Sequence, residues 1–264
     1  MLNKSGILIS RIFYFYIMDI KQYLDSTYLK TPSQAGLSLG ENIKIVEDFV
    51  AEAIEENFKL IMIRPDMVAL AKKMIIKKQS KVLIGTVIGF PGGTASIEEK
   101  LAEANQAISD GVDDLDFVCN YEKFKSGEVQ TVKHEVLRAT KLGLDHHKTV
   151  KWIIEIAALS DQQIIQLSVL IKNVVIANFK EENYQNVFVK SSTGFYKTEN
   201  GEPNGATVPA IIMMLENSSP LPVKAAGGVR TQGEALKMIA LGVKRIGTSA
   251  AKAIVHGQIS DSIY

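Results

Sequence analysis

A single cysteine, Cys119, leaves this chain without a partner for an internal disulfide. No Cys/His cluster has the spacing of a zinc site either, so a structural metal is not expected. The four histidines are His134, the adjacent His146 and His147, and His256. None falls at the C-terminal end of an expected strand, and a Ser-His-Asp arrangement therefore has no support. An excess of one charge is also missing. Thirty basic and twenty-nine acidic residues, mixed along the chain, give a net charge of +1, which offers no electrostatic footprint for nucleic acid or an anionic membrane. A membrane-length apolar run is absent as well. The segment MLNKSGILISRIFYFYIM is apolar and aromatic, but Arg11 interrupts it, it is shorter than a span, and no small-residue cleavage site follows. Residues 1–18 read as an N-terminal extension, with Met18, just before DIKQYLDSTYLK, as a candidate translation start. A reducing cytoplasm is the expected compartment.

What the chain does have is enough apolar residue, 46% of 264, to bury a large core. No low-complexity linker divides it, and its longest polar stretch, Glu199 to Asn204, reads as one loop. One domain is expected over residues 19–258, with 259–264 as a flexible tail. Short β-branched runs alternate with longer segments of helical spacing. Strands are expected at Gln22–Asp25, Lys59–Ile63, Val82–Ile88, Asp113–Val118, Val150–Ile156, Val187–Lys190, Pro222–Ala225 and Arg245–Thr248. Helices are expected between and after them, at Glu41–Asn57, Pro65–Lys78, Ser96–Asp110, Glu128–Leu142, Asp161–Phe179, Asn204–Glu216, Thr231–Leu241 and Ser249–Val255. In the first of these Ile43, Val46, Phe49, Val50, Ala53 and Ile54 share a face, and Ser38 with Glu41 makes a capping box. Parallel strands need crossover helices, and eight strand–helix units close on themselves. The pattern predicts an α/β fold, a single-domain (β/α)8 TIM barrel, with an open doubly wound sheet as the alternative.

In such a barrel the chemistry sits where the strands end and the βα loops begin. Lys190, in FVKSSTGF, interrupts an apolar β run at the end of the sixth strand. Lys224 lies in the seventh strand, Asp116 in the fourth and Asp25 at the end of the first, all expected at one mouth. Alternation puts Asp116 and Val118 on one face and Leu115, Phe117 and Cys119 on the other, so a lumenal Asp116 makes Cys119 a buried, inert thiol. Lys190 and Lys224, on neighbouring strands roughly 4.8 Å apart, cannot comfortably both be charged. An ordinary lysine is only ~0.04% neutral at pH 7, and a drop of about three units would make it a nucleophile for carbonyls. A second reading has both lysines reach the rim and pair with Asp116 and Asp25 as structural ion pairs. Glycine-rich turns follow the last strands, Gly227-Gly228 and Gly247-Thr248-Ser249. Loops there often hold phosphate through backbone N–H groups and a helix N-terminus. GFPGGT, from Gly89 to Thr94, is another tight loop at the same mouth.

Taken together, FVKSSTGF, LPVKAAGGVRT, GVDDLDFVCN, TVIGFPGG and YLDSTYLK resemble the deoxyribose-phosphate aldolase family, in order and spacing, from about Asp19 to the last residue. The resemblance implies a class I aldolase that interconverts 2-deoxy-D-ribose 5-phosphate with D-glyceraldehyde 3-phosphate and acetaldehyde. It implies Lys190 as the Schiff-base lysine, Lys224 as the second lysine that perturbs it, Asp116 as a proton shuttle through water and Asp25 as a supporting carboxylate. Tyr264 matches a terminal tyrosine that in some members enters the site. Gly194, Gly227, Gly228, Gly247 and Ser249 are the expected phosphate contacts. No cofactor and no metal are implied, because the protonated imine serves as the electron sink. The expected partners are a phosphorylated sugar and small aldehydes, with no nucleic acid and no membrane, and a homo-oligomer is compatible with the chain.

Two departures from the family pattern stand out. Phe195 follows Ser-Ser-Thr-Gly where a phosphate-binding lysine is often found, with Lys197 or Arg64 as candidates to replace its charge. Met-Ile-Arg-Pro, with Met62 and Arg64, stands where many members read Cys-Val-Asn-Pro. Two other readings stay open at this point: a Schiff-base aldolase of another sugar phosphate or of an unphosphorylated aldehyde, and a non-catalytic barrel that binds sugar phosphates.

Overall fold

The computed structural model describes residues 19–199 and 201–258. Eight parallel strands, β1 Leu24–Thr27, β2 Leu60–Ile63, β3 Leu83–Ile88, β4 Asp114–Val118, β5 Thr149–Ile153, β6 Val187–Lys190, β7 Val223–Ala226 and β8 Arg245–Thr248, close in sequence order, with β8 back on β1. One main helix follows each strand, α1 Leu39–Glu56, α2 Val68–Lys77, α3 Ile97–Ser109, α4 Val129–Asp145, α5 Asp161–Asn178, α6 Val208–Ser218, α7 Gln232–Leu241 and α8 Ala251–Val255, with short helices at Pro32–Ala35 and Tyr121–Lys125 in the loops after β1 and β4. The expected (β/α)8 barrel is the fold found. Among the described residues no helix is long and apolar enough to cross a membrane.

Helix starts follow local hydrogen bonding. Ser38 and Glu41 form the anticipated capping box on α1, and Ser96, Ser160 and Thr231 cap α3, α5 and α7 in the same reciprocal way. Each such cap satisfies N–H groups that the first helical turn cannot.

Three boundaries differ from expectation in ways that matter for the site. The first strand runs two residues later, because Ile20–Tyr23 winds into a 3₁₀ turn capped by Asp19. Asp25 is therefore the second residue of β1, within the lumen, rather than its last. The fifth strand stops at Ile153, three residues short of the expected end, and Glu155 takes a left-handed backbone with φ 54°. The last helix begins at Ala251 and has five residues, so Ser249 lies in the preceding turn rather than at a helix start. Tyr264, residues 1–18 with the candidate start Met18, and the tail 259–264 lie outside the described residues.

The two faces of each strand part as a period of two requires. Leu115, Phe117 and Cys119 of the β4 segment, and Val150 and Trp152 of β5, join the main core between sheet and helices. Phe117 stacks on Trp152 at 5.3 Å, and the indole N–H of Trp152 donates to Thr140 Oγ of α4 at 3.0 Å. The opposite residues line the lumen. On the β2–β3 side these are apolar, with Leu60, Met62 and Val87 clustered with Leu29, Phe90 and Phe195. From β4 round to β1 charged residues line it, with Val118 and Ile153 forming a small apolar cluster beside them.

Candidate active site

Seven ionisable side chains fill the charged half of the lumen: Asp114 and Asp116 of β4, Lys151 of β5, Lys190 of β6, Lys224 of β7, Arg245 of β8 and Asp25 of β1. All are buried. Strand register explains the meeting: Asp116 pairs with Lys151 across β4 and β5, and Lys190 pairs with Lys224 across β6 and β7. An uncompensated ion in such a place is costly, so each must find a counter-charge.

Asp116 is the hub. Its Oδ2 accepts from Lys190 Nζ and from Lys224 Nζ, both at 2.9 Å, while Oδ1 accepts from Lys151 Nζ at 2.9 Å. Lys151 also donates to Asp114 Oδ2 at 2.7 Å. Lys224 lies 2.6 Å from Asp25 Oδ2. Arg245 holds Asp25 through Nε at 2.7 Å and reaches Asp114 at 3.4 Å. Gly247 of β8 faces this cluster from within the strand, and a methyl there would stand 3.1 Å from Lys224 Cε. Its bareness makes room for the lysine.

The pairing reading of the two lysines is thus right about the partners, Asp116 and Asp25, and wrong about the place. The ammonium groups are buried in the lumen, with Lys190 3% and Lys224 0% exposed, instead of solvated at the rim.

These contacts set the proton affinities. Burial alone would raise the Asp116 carboxyl, but the fields of Lys151, Lys190 and Lys224 overcome it and hold it well below the usual carboxylate range. Burial likewise works against protonated Lys151, yet Asp114 and Asp116 outweigh it and the amine is pushed up. Lys190 goes the other way. Burial lowers it most, Asp116 resists, Lys224 and Lys151 add to the push, and the amine falls from 10.5 to about 8. Two amines on one carboxylate oxygen are close neighbours, and the one with no second carboxylate yields. At pH 7 an amine with that value is about 10% neutral, some hundreds of times more than an ordinary lysine.

Around the mouth, the turns after β6 and β7 meet backbone to backbone. A methyl on Gly227 would lie 2.9 Å from Gly205 Cα and 3.8 Å from Gly194 Cα. Gly194, Gly227 and Gly228 have φ of 81°, 80° and 78°, a region that favours glycine, and their N–H groups have no acceptor among the described residues. Neighbouring N–H groups left free in this way form an anion-binding concavity. Of the expected phosphate contacts, the structure brings these three together. It places Gly247 below them against Lys224, and Ser249 in the turn after β8. Arg64 stands on the β1–β2 side, where Nε donates to Leu29 O at 2.8 Å and the guanidinium lies 4.8 Å from the Phe90 ring centre. Phe195 reaches across the mouth to meet Phe90 edge-on at 5.0 Å.

Cys119 is buried behind β4, its thiol pushed well above the ordinary value first by burial and then by Glu135. The sequence reading did not select Asp114, Lys151, Arg245 or Glu155. For all four a signal was available: each lies an even number of strand positions from a residue assigned to the lumen, or in alternation with bulky outward residues such as Trp152 in the expected strand.

A family model described as DeoC/LacD family aldolase matches residues 20–257. A deoxyribose-phosphate aldolase of Thermococcus gammatolerans is 36% identical over 241 residues, covering 91% of this chain and 96% of the relative. One from Streptococcus pneumoniae is 33% identical over 248 residues, 94% and 100% of the two chains. Among solved structures, the deoxyribose phosphate aldolase of Aeropyrum pernix, described as a unique tetramer, superposes with a TM-score of 0.71 at 26% identity, over 90% of this chain and 89% of that one.

Proposed function

The chain belongs to the DeoC/LacD family of aldolases, and from that premise we propose that it reversibly cleaves 2-deoxy-D-ribose 5-phosphate to D-glyceraldehyde 3-phosphate and acetaldehyde through a Schiff base on Lys190. The observation that carries the assignment of Lys190 is its buried amine, lowered to about 8 and sharing one oxygen of Asp116 with Lys224. A binding barrel has no need of such an amine, since the arrangement only raises the cost of folding.

In the cleavage direction, neutral Lys190 Nζ attacks C1 of the open-chain sugar to give a carbinolamine. Loss of water leaves a protonated imine. The C3 hydroxyl then gives up its proton, the C2–C3 bond breaks, and the electron pair moves to the imine nitrogen, leaving an enamine and releasing glyceraldehyde 3-phosphate. Protonation at C2 and hydrolysis return acetaldehyde and free Lys190. Asp116, ionised across the working range, accepts protons through water, and Lys224 returns them to the carbinolamine oxygen and the enamine carbon. Asp25 and Arg245 keep Lys224 in place. The free N–H groups of Gly194, Gly227 and Gly228 hold the 5-phosphate, and Ser249, in the turn after β8, is proposed as a further contact. Tyr264 is the residue proposed to enter from the tail and assist protonation at C2. We further propose a cytoplasmic homo-oligomer, supported by the lone buried cysteine and by the tetramer described for the Aeropyrum pernix protein.

Borohydride trapping tests the assignment. The protein is incubated with the phosphorylated sugar, reduced and digested, and the added mass is located by peptide mass spectrometry. An adduct on Lys190 that is lost in Lys190→Ala is the expected result. Folded protein without an adduct, or with one on Lys224 alone, would refute it.

A further inference from the structure

Glu155 lies in the loop after β5, beside the Schiff-base lysine: Ile154 N–H donates to Lys190 O at 3.0 Å, and Ile156 N–H donates to Ser191 O at 3.0 Å. The side chain is 1% exposed, and its backbone is held in the left-handed region, which residues with a Cβ avoid unless their surroundings fix it. One carboxylate oxygen, Oε2, accepts twice from Thr193, from its N–H at 3.1 Å and from its hydroxyl in a very short bond. The Thr193 hydroxyl oxygen accepts in turn from Phe195 N–H at 3.0 Å. The second carboxylate oxygen, Oε1, has no hydrogen-bond partner among the described residues.

These bonds decide which donors of the loop remain available. Ser191 N–H is taken by Lys224 O, Thr193 N–H by Glu155 and Phe195 N–H by Thr193. Gly194 N–H, between the last two, is left over at the side where Gly194 approaches Gly227. With the peptides on both sides of it pinned, the direction of this donor is fixed before any ligand arrives, and fixed donors bind more tightly because no ordering remains to be done. We infer that Glu155 is a positioning residue for phosphate recognition: it clamps Thr193 so that Gly194 N–H joins those of Gly227 and Gly228 around the substrate phosphate. This rests on the phosphorylated-sugar reading given above. A carboxylate near an anion site needs its charge masked. Two Thr193 donors cover one oxygen, and burial pushes the carboxyl above its ordinary value, so the charge is less firmly held than that of Asp116.

The test compares kcat and KM for 2-deoxyribose 5-phosphate and for unphosphorylated 2-deoxyribose in the parent, Glu155→Ala and Glu155→Gln. The alanine variant is expected to lower the preference for the phosphorylated sugar, taken as the ratio of kcat/KM values, at least tenfold and mainly through KM. Glutamine, whose amide oxygen still accepts from both Thr193 donors, is expected to recover most of that ratio. Equal losses on both sugars, or a glutamine variant no better than alanine, would overturn the inference. If Glu155→Ala does not fold, Thr193→Val breaks the same clamp from the other side. It should lower the ratio similarly, and an unchanged ratio would count against the proposal. A parent enzyme that treats both sugars alike would instead refute the phosphate-sugar reading itself.

Discussion

Replacing Lys190 by methionine should make the protein more stable while abolishing Schiff-base formation. Folding moves an amine of ordinary value 10.5 to a site where it is about 8, so a protonated Lys190 opposes folding. The penalty is full below about pH 8 and disappears once the pH passes the unfolded value. Linkage gives about 3 kcal/mol at pH 7 and under about 1 kcal/mol at pH 10. Lys190→Met relieves this penalty at similar side-chain length, and Asp116 keeps Lys151 and Lys224 as counter-charges. For a domain of this size each kcal/mol corresponds to roughly 2–4 °C, so the variant should melt about 6–12 °C higher at pH 7. At pH 10 the advantage should shrink to about 2 °C. Thermal unfolding of both proteins at both pH values measures the difference, and groups titrating alike in the two cancel. A variant no more stable than its parent at pH 7, or an advantage that grows with pH, would refute the claim that this amine is held against its ordinary proton affinity.

Lys224→Met removes a neighbouring ammonium that helps depress Lys190, so the limb of the kcat/KM profile near pH 8 should move to higher pH, with a matching drop in rate at pH 7. A limb that stays, or moves to lower pH, would show that Lys224 does not act on Lys190 in this way. Asp114→Asn leaves buried Lys151 with Asp116 as its one close carboxylate and weakens the anchor of Arg245. It should cost about 3–5 kcal/mol, far more than Asp48→Asn in the exposed, solvent-screened pair with Lys44. Unfolding curves that rank the two the other way would contradict the buried-network reading.

The barrel was legible because each unit carries its own punctuation. Ser38, Ser96, Ser160 and Thr231 announce helix starts, and a period of two in segments such as DLDFV announces which face is inward. Lys190, Lys224 and Asp116 were legible for a related reason: a charge inside an apolar β run is conspicuous. Lys151 and Arg245 obey the same parity but stand at or near strand starts, where a cation reads as an edge residue. Asp25 was found with its neighbours wrongly framed, since nothing in IKQYLDST marks the 3₁₀ turn that delays β1. Glu155 carried the same signal, a charge inside the apolar run of the expected fifth strand, but not the turn on which its position depends. The run WIIEIAAL has no glycine or proline to mark a left-handed turn, and the partners on either side of it, Lys190 O, Ser191 O and Thr193, lie more than thirty positions away in sequence.

Burial by itself cannot choose the nucleophile, because Lys151 and Lys190 are both sealed from solvent and shift in opposite directions. The difference lies in the carboxylates each can reach. Lys151 has an oxygen of Asp114 and another of Asp116, whereas Lys190 shares one oxygen of Asp116 with Lys224, which also has Asp25. Four cations, Lys151, Lys190, Lys224 and Arg245, face three carboxylates, and the lumen balances when one amine is neutral. The amine that gives up its proton most readily is Lys190, at the end of β6, beside the mouth. Moving a single carboxylate would move the neutral site with it, and for that reason Asp25, Asp114 and Arg245, which need not touch substrate, belong to the account of reactivity as much as to that of stability.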